Sequence, residues 1–480
     1  MQAPGSAGDT PRETGAETRP APRTRGSHTR DGAGRSGAAA SAGIVNGKRP
    51  DERKRTQRER LIAGMIAAIH RHGYGGANIS QTIAHAGVSR PTFYDYFSDK
   101  DDCFLAAHAE VGELLLAELE SAIAGAPPER AMQAAIVRIV GLSEALPDRG
   151  ALLVNEGLAG GPRALDQHDR LIARMAATID QALAQAPAGS LTPDLPTQMA
   201  LSAGRWLLAP ALRRGERDLS EIAEEAVGWV ECYLRPTDEH RWRTLDPAPP
   251  LAASPHVAPE WLAQPDPPAR GRPRLSRAEL ARKQRERIMY ATAETVVAKG
   301  YNATTIADVT AAAKVDRRVF YRHFRDRQQA YVAVHELGMQ HLMAVSAAAF
   351  FSASEWPERV WQAIWASTQF EATHPVVTKF GYIHSHAVGP AAIQRIDNAR
   401  AAFTIFLQEG NRYAEEPPGR GAMEAIGGAV FEIAYLMARE DRCELIARLA
   451  GPTTYLILAP FMGPAAASDF VDAKLREATV

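Results

Sequence analysis

One stretch of this chain occurs twice. Gly300 to Arg327 reads GYNATTIADVTAAAKVDRRVFYRHFRDR, and Gly73 to Lys100 reads GYGGANISQTIAHAGVSRPTFYDYFSDK. The two align without a gap at one constant offset of about 227 positions, pairing Tyr74 with Tyr301, Val88 with Val315, Arg90 with Arg317, Phe93-Tyr94 with Phe320-Tyr321 and Asp99 with Asp326. A match of this length at fixed spacing marks an internal duplication, so the fold must be built from two similar halves.

Each copy predicts a short helix (Ile79 to Ala86; Thr305 to Ala313), a tight turn (Gly87; Lys314) and a second short helix (Arg90 to Phe97; Arg317 to Phe324). This is the pattern of a helix-turn-helix. Phe93 and Phe97, like Phe320 and Phe324, stand four apart and bury one face, which leaves Arg90, Thr92, Tyr94 and Tyr96, or Arg317, Arg318, Tyr321, Arg322 and His323, outward or flanking. Guanidinium forks read guanine edges in a major groove, while hydroxyl and imidazole groups reach phosphates.

Both copies resemble the DNA-binding domain of the tetracycline-repressor (TetR) family of bacterial regulators. The first carries the family's Ala-Gly-Val-Ser turn and its ending as AGVSRPTFYDYFSDK; the second reads AKVDRRVFYRHFRDR. The resemblance implies an all-α fold of two tandem modules, each a three-helix helix-turn-helix head followed by a helical ligand and dimerisation domain. It further implies base contacts from Arg90, Pro91 and Thr92 and from Arg317 and Arg318. Phosphate contacts are implied for Tyr94, Tyr96 and Lys100, and for Thr304, Thr305, Tyr321, His323 and Arg327. Three departures stand out. Lys314 occupies the turn position that favours glycine, where a left-handed residue costs roughly 1 to 2 kcal/mol. Thr82 replaces an aliphatic residue and Asp95 adds negative charge, so the first head is expected to bind DNA more weakly.

The 480 residues have a formal net charge of −1, but the balance is uneven along the chain. Lys48 to Lys100 carries a net charge of about +5 and Arg270 to Arg327 about +9, so both helix-turn-helix regions are locally basic. Residues 1–48, rich in Gly, Ala, Ser, Thr, Pro and Arg, read as a disordered tail. The first head spans 49–102 and its helical domain 103–235; the second head spans 276–329 and its helical domain 330–480. Pro128-Glu129-Arg130 with Gln133 echoes Pro357-Glu358-Arg359 with Gln362, so the duplication extends beyond the heads. By the resemblance, two late apolar helices of each module, Leu195 to Leu212 with Leu219 to Leu234 and Met423 to Ala438 with Cys443 to Phe461, form a four-helix dimer interface.

Between the modules, 236–275 is a Pro-rich linker, read as coil whose root-mean-square reach of roughly 30 to 38 Å is comparable with one turn of DNA. It ends in a basic arm, Arg270, Arg272 and Arg274, similar to a minor-groove hook; solvated arginines on a flexible tail are an equal reading. The expected partners are double-stranded DNA and a mostly apolar small molecule, bound among Trp365, Phe370, Tyr382, His386, Phe403 and Tyr435. The modules pair either within one chain or with those of a second copy.

No phosphate loop, nucleophile elbow or catalytic constellation is present, and no cofactor is expected. His374, His384 and His386 lack a carboxylate or Cys at ligand spacing, so no metal is expected either. Cys103, Cys232 and Cys443 are dispersed, and no segment reads as membrane-spanning, which points to a soluble cytoplasmic protein. The sequence thus predicts a DNA-binding transcriptional regulator, a ligand-responsive repressor with an asymmetric operator. A non-switching architectural DNA-binding protein is the alternative.

Overall fold

The computed structural model describes residues 50–257, 275–388, 393 and 403–479. The tail 1–48 and the arm residues Arg270, Arg272 and Arg274 lie outside the described residues.

The fold is helical. In the first module α1 (Pro50–Gly76), α2 (Ile79–Ala86) and α3 (Arg90–Tyr94) form the head, and α4 (Lys100–Ala124) leads into a body of α5 (Ala131–Ala145), α6 (Pro162–Leu183), α7 (Thr197–Arg214) and α8 (Ser220–Glu231). In the second, α9 (Arg277–Lys299), α10 (Ile306–Ala313) and α11 (Arg317–His323) form the head. There α12 (Arg327–Phe350) leads to α13 (Trp356–Thr373), α14 (Pro375–Ile383), α15 (Arg420–Arg439), α16 (Ala450–Met462) and α17 (Pro464–Ala478). Shorter helical turns join these. One small antiparallel pair, β1 (Leu191–Pro193) with β2 (Leu234–Pro236), ties the start and end of the α7–α8 hairpin.

The boundaries have local causes. Helical geometry breaks at Gly73 (φ 67°) and α9 ends at Gly300 (φ 82°), conformations glycine adopts without a Cβ clash. Both α2 and α10 open on reciprocal capping boxes, Asn78 with Gln81 and Thr305 with Asp308. Asp99 and Asp326 cap α4 and α12 by accepting from the amides of Asp102 and Gln329. The turn between α2 and α3 passes through Gly87 (φ 61°); its counterpart passes through Lys314 in the same left-handed region (φ 51°).

The two modules pack on each other. Helix α7 lies along α15 so closely that a Cβ on Gly428 would fall 2.4 Å from Cδ1 of Trp206. Tyr233 donates its hydroxyl to the carbonyl of Leu456 at 2.6 Å, and Trp242 stacks on Tyr455 at 5.2 Å. One apolar core runs from the first head through both bodies, whereas the second head closes around its own cluster of Ile288, Val309, Phe320, Tyr331 and Phe380.

Two expectations need correction. The linker is not free coil where it is described: Trp242 is buried with its indole N–H donating to Ser468 at 3.0 Å, and the amides of Ala248, Ala252 and Ser254 donate to Arg448, Ala478 and Gln369. A tryptophan and a run of satisfied backbone amides dock this segment on the second module, a burial that lack of periodicity conceals. Two segments, Arg420–Arg439 and Cys443–Met462, are also long and apolar enough to cross a bilayer by composition. Both are mostly buried inside the protein, where α15 and α16 meet the first module.

Candidate nucleic-acid interface and buried cavity

The two heads present different faces. Phe93, Phe97, Phe320 and Phe324 are buried, which turns the other side of α3 and α11 outward. Arg90 and Pro91 are exposed and Thr92 half-buried, its hydroxyl 2.8 Å from that of Ser89. In the second head Arg317 and Arg318 are exposed, and Arg317 Nη2 donates to the Tyr321 hydroxyl at 3.2 Å. Tyr94 and Tyr321 are 51% and 46% exposed, too much for large aromatic rings whose role is packing.

Charge separates the heads further. From Ser89 to Lys100, Arg90 and Lys100 are matched by Asp95 and Asp99; from Asp316 to Arg327, Arg317, Arg318, Arg322, Arg325 and Arg327 face only Asp316 and Asp326. The second head therefore carries the larger positive charge over this stretch.

Several residues expected at phosphates hold the heads together instead. Lys100 Nζ lies 3.9 Å from the centre of the Tyr74 ring and donates to the Tyr74 carbonyl at 3.0 Å; burial lowers its pKa. Its duplicate Arg327 lies 4.2 Å from the Tyr301 ring centre and donates to the carbonyls of Asn302 and Thr304. Thr304 is fully buried, its hydroxyl donating to Gly300 at 2.8 Å, so it has no surface to offer a phosphate. Thr305 remains exposed as a helix cap. Tyr96 is half-buried and donates to Gln57 at 3.0 Å. His323 is half-buried, and burial with Arg285 and Arg322 nearby lowers its pKa, which favours a neutral ring. Thr82 is buried with its hydroxyl bonded to the Asn78 carbonyl at 3.1 Å, which accounts for a polar residue at an apolar position.

The second body encloses a cavity of about 130 Å³ between α12, α13, α14 and α15. Of the six expected pocket residues, Phe370, Tyr382 and Phe403 line it. The other three do not. The Trp365 indole donates to the linker carbonyl of Ala252 at 3.1 Å, His386 packs 5.8 Å from the Trp206 ring, and Tyr435 donates to Asp169 at 2.8 Å. They serve the linker contact and the module boundary. His374 stacks on Phe370 at 4.4 Å.

Glu371 was not foreseen. It is buried in the cavity wall and accepts from the Tyr382 hydroxyl, and burial raises its carboxyl to about 7 despite that bond. Its only sequence signal is a lone carboxylate in the otherwise apolar and neutral run WASTQFEAT. His335 also lines the cavity, held down at about 4 by burial. Its duplicate in the first body, His108, lies at the same offset and is buried, with Phe104 and His168 each 6.2 Å away ring to ring.

The model of bacterial regulatory proteins of the tetR family matches the chain twice, at residues 61–107 and 288–334. Similar solved structures include the fatty acid degradation regulator FadR from Bacillus halodurans, at 15% identity and a TM-score of 0.34, covering 36% of this chain and 94% of the other. A TetR family transcription regulator from Marinobacter aquaeolei VT8 is similar at 14% identity and a TM-score of 0.32, over 39% and 99% of the two chains. A regulatory protein of the tetR family from Rhodococcus RHA1 follows at 19% identity and a TM-score of 0.30, over 41% and 97%. No curated protein matches the chain.

Proposed function

Since this chain belongs to the tetR family of bacterial regulators and carries its DNA-binding domain twice, we propose that it is a small-molecule-responsive repressor whose two modules pair within one chain. The observation that carries this reading is the packing of α7 on α15, with Gly428 seated against Trp206: the late helices of the two modules already occupy each other. Both heads then act from one chain on one operator. Because Ser89-Arg90-Pro91-Thr92 differs from Asp316-Arg317-Arg318-Val319, the two half-sites differ in sequence. Arg317 and Arg318 read bases in the stronger half-site and Tyr321 holds a phosphate; Arg90, Thr92 and Tyr94 do the same in the weaker one.

The effector enters the second body, where His335 lines a cavity; its duplicate His108 is packed against Phe104 and His168 in the first. Helix α15 forms one wall of that cavity and also the boundary with the first module, so one ligand bears on both heads. The minor-groove arm at Arg270, Arg272 and Arg274 adds affinity for A·T tracts beside the second half-site.

Selection of bound sequences from a random DNA pool by the intact chain, followed by sizing of the complex, tests this reading. Two dissimilar half-sites occupied by a single chain are expected. A palindrome bound by two chains would show that each module pairs with its own copy instead.

A further inference from the structure

The cavity in the second body has one unmet electrostatic demand. Its walls are mainly apolar, from residues such as Leu342, Phe370, Ile426 and Phe431. The hydroxyls that reach it are already committed: Ser367 and Thr368 donate to the Ile364 carbonyl, Thr378 to that of Glu371 and Thr453 to that of Leu449. Among the described residues, Glu371 is the one carboxylate in the lining, and no Lys or Arg lines the cavity with it. Its bond from Tyr382 supplies a hydrogen but no charge. His335 supplies no charge either, because burial keeps its ring neutral at physiological pH.

A buried carboxylate without a counter-charge is costly, and a second carboxylate beside it raises that cost. A cation brought by the ligand lowers it. We propose that the effector is a cationic amphiphile, an alkyl or aryl amine whose ammonium pairs with Glu371 while its apolar part lies against Phe370, Phe431 and Leu342. This rests on the reading that the cavity is the effector site. The geometry disfavours fatty acids and other anionic amphiphiles, whose head would meet Glu371 with the same sign of charge.

Three probes that differ only in their heads test the assignment: octylamine, octan-1-ol and octanoate, titrated calorimetrically into the full chain at pH 8. Octylamine is expected to bind at least about tenfold more tightly than octan-1-ol, as one charge-assisted hydrogen bond allows, with octanoate weakest. Glu371→Gln is expected to bring the amine-to-alcohol ratio to about one. Tyr382→Phe, which keeps the carboxylate, is expected to preserve the preference and so separates loss of charge from loss of packing. Equal binding of all three probes, or preference for octanoate, overturns the amine assignment while leaving the cavity as an effector site. Failure of all three to bind overturns both.

Discussion

Arg439 of the second module holds Asp169 of the first, its Nε donating to Oδ2 at 2.8 Å while Nη2 takes Asp166 at 2.6 Å. The Tyr435 hydroxyl completes the same site on Asp169. The Arg439 side chain is only 19% exposed, so this fork is better shielded than an ordinary surface pair. Arg439→Ala is expected to lower stability by about 1–3 kcal/mol in urea denaturation, and Arg439→Lys, which loses the planar fork, to recover only part of it.

Gly428 tests the same boundary through shape. A methyl group there meets the Trp206 ring at 2.4 Å, whereas nothing lies within 4 Å of a Cβ on neighbouring Gly427. Gly428→Ala should cost about 1–3 kcal/mol of stability by overpacking. Gly427→Ala should be neutral or stabilising by about 0.5–1 kcal/mol, as expected for alanine in a helix. Parallel thermal melts would read both.

Arg317 and Tyr321 touch each other in the second head and should fail differently when replaced. Arg317→Ala is expected to relax sequence preference, with about 1–3 kcal/mol less discrimination at one position of the half-site. Tyr321→Phe should weaken all DNA alike. Binding to the selected operator and to random duplex, measured side by side, distinguishes them; equal losses on both for both variants would contradict the assignment.

The left-handed turn residue gives a prediction of opposite sign in the two heads. Lys314→Gly should stabilise the chain by about 1 kcal/mol through relief of its Cβ strain. Gly87→Ala should destabilise it, since that position combines φ 61° with the Arg60 guanidinium 2.7 Å from the new methyl. Arg60 donates there to the Gly87 carbonyl at 2.8 Å, so the clash also disturbs an existing bond.

Glu371 makes stability depend on pH. Burial raises its carboxyl from the ordinary 4.5 to about 7, so the folded chain holds this proton more tightly than the unfolded one. Its contribution is fully present below pH 4.5 and is lost as pH rises through 7, amounting to at most ~3 kcal/mol. Glu371→Gln does not titrate. Its melting temperature relative to the parent chain should therefore rise between pH 5 and pH 8; a difference that stays constant over that range would contradict the assignment.

What the sequence disclosed was what local spacing controls. Phe93 marks the inward face of α3, while Phe97, expected on the same helix, is buried three residues beyond its end at Tyr94; the helix-turn-helix could be placed because its turn and caps lie within a few residues of one another. Long-range partners were not legible. Lys100 and Arg327 read as phosphate contacts, yet a ring and a carbonyl some 25 positions away claim them. Trp365, Phe370, Tyr382 and Tyr435 all repeat at helical spacing, which marks them as buried without saying whether the cavity, the linker or the other module covers them. Glu371 was hidden because a carboxylate paired with a neutral tyrosine leaves no pattern of opposite charges to find.

Tyr233 and Leu456 meet inside one polypeptide. Partners on separate molecules must find each other by diffusion, and their union falls apart when they become scarce. These two are held at a fixed effective concentration by the chain that joins them, so their encounter follows first-order kinetics and dilution does not part them. On the proposed reading, a switch assembled this way has no threshold of abundance to cross: occupancy of its operator scales with the number of chains from the first one made.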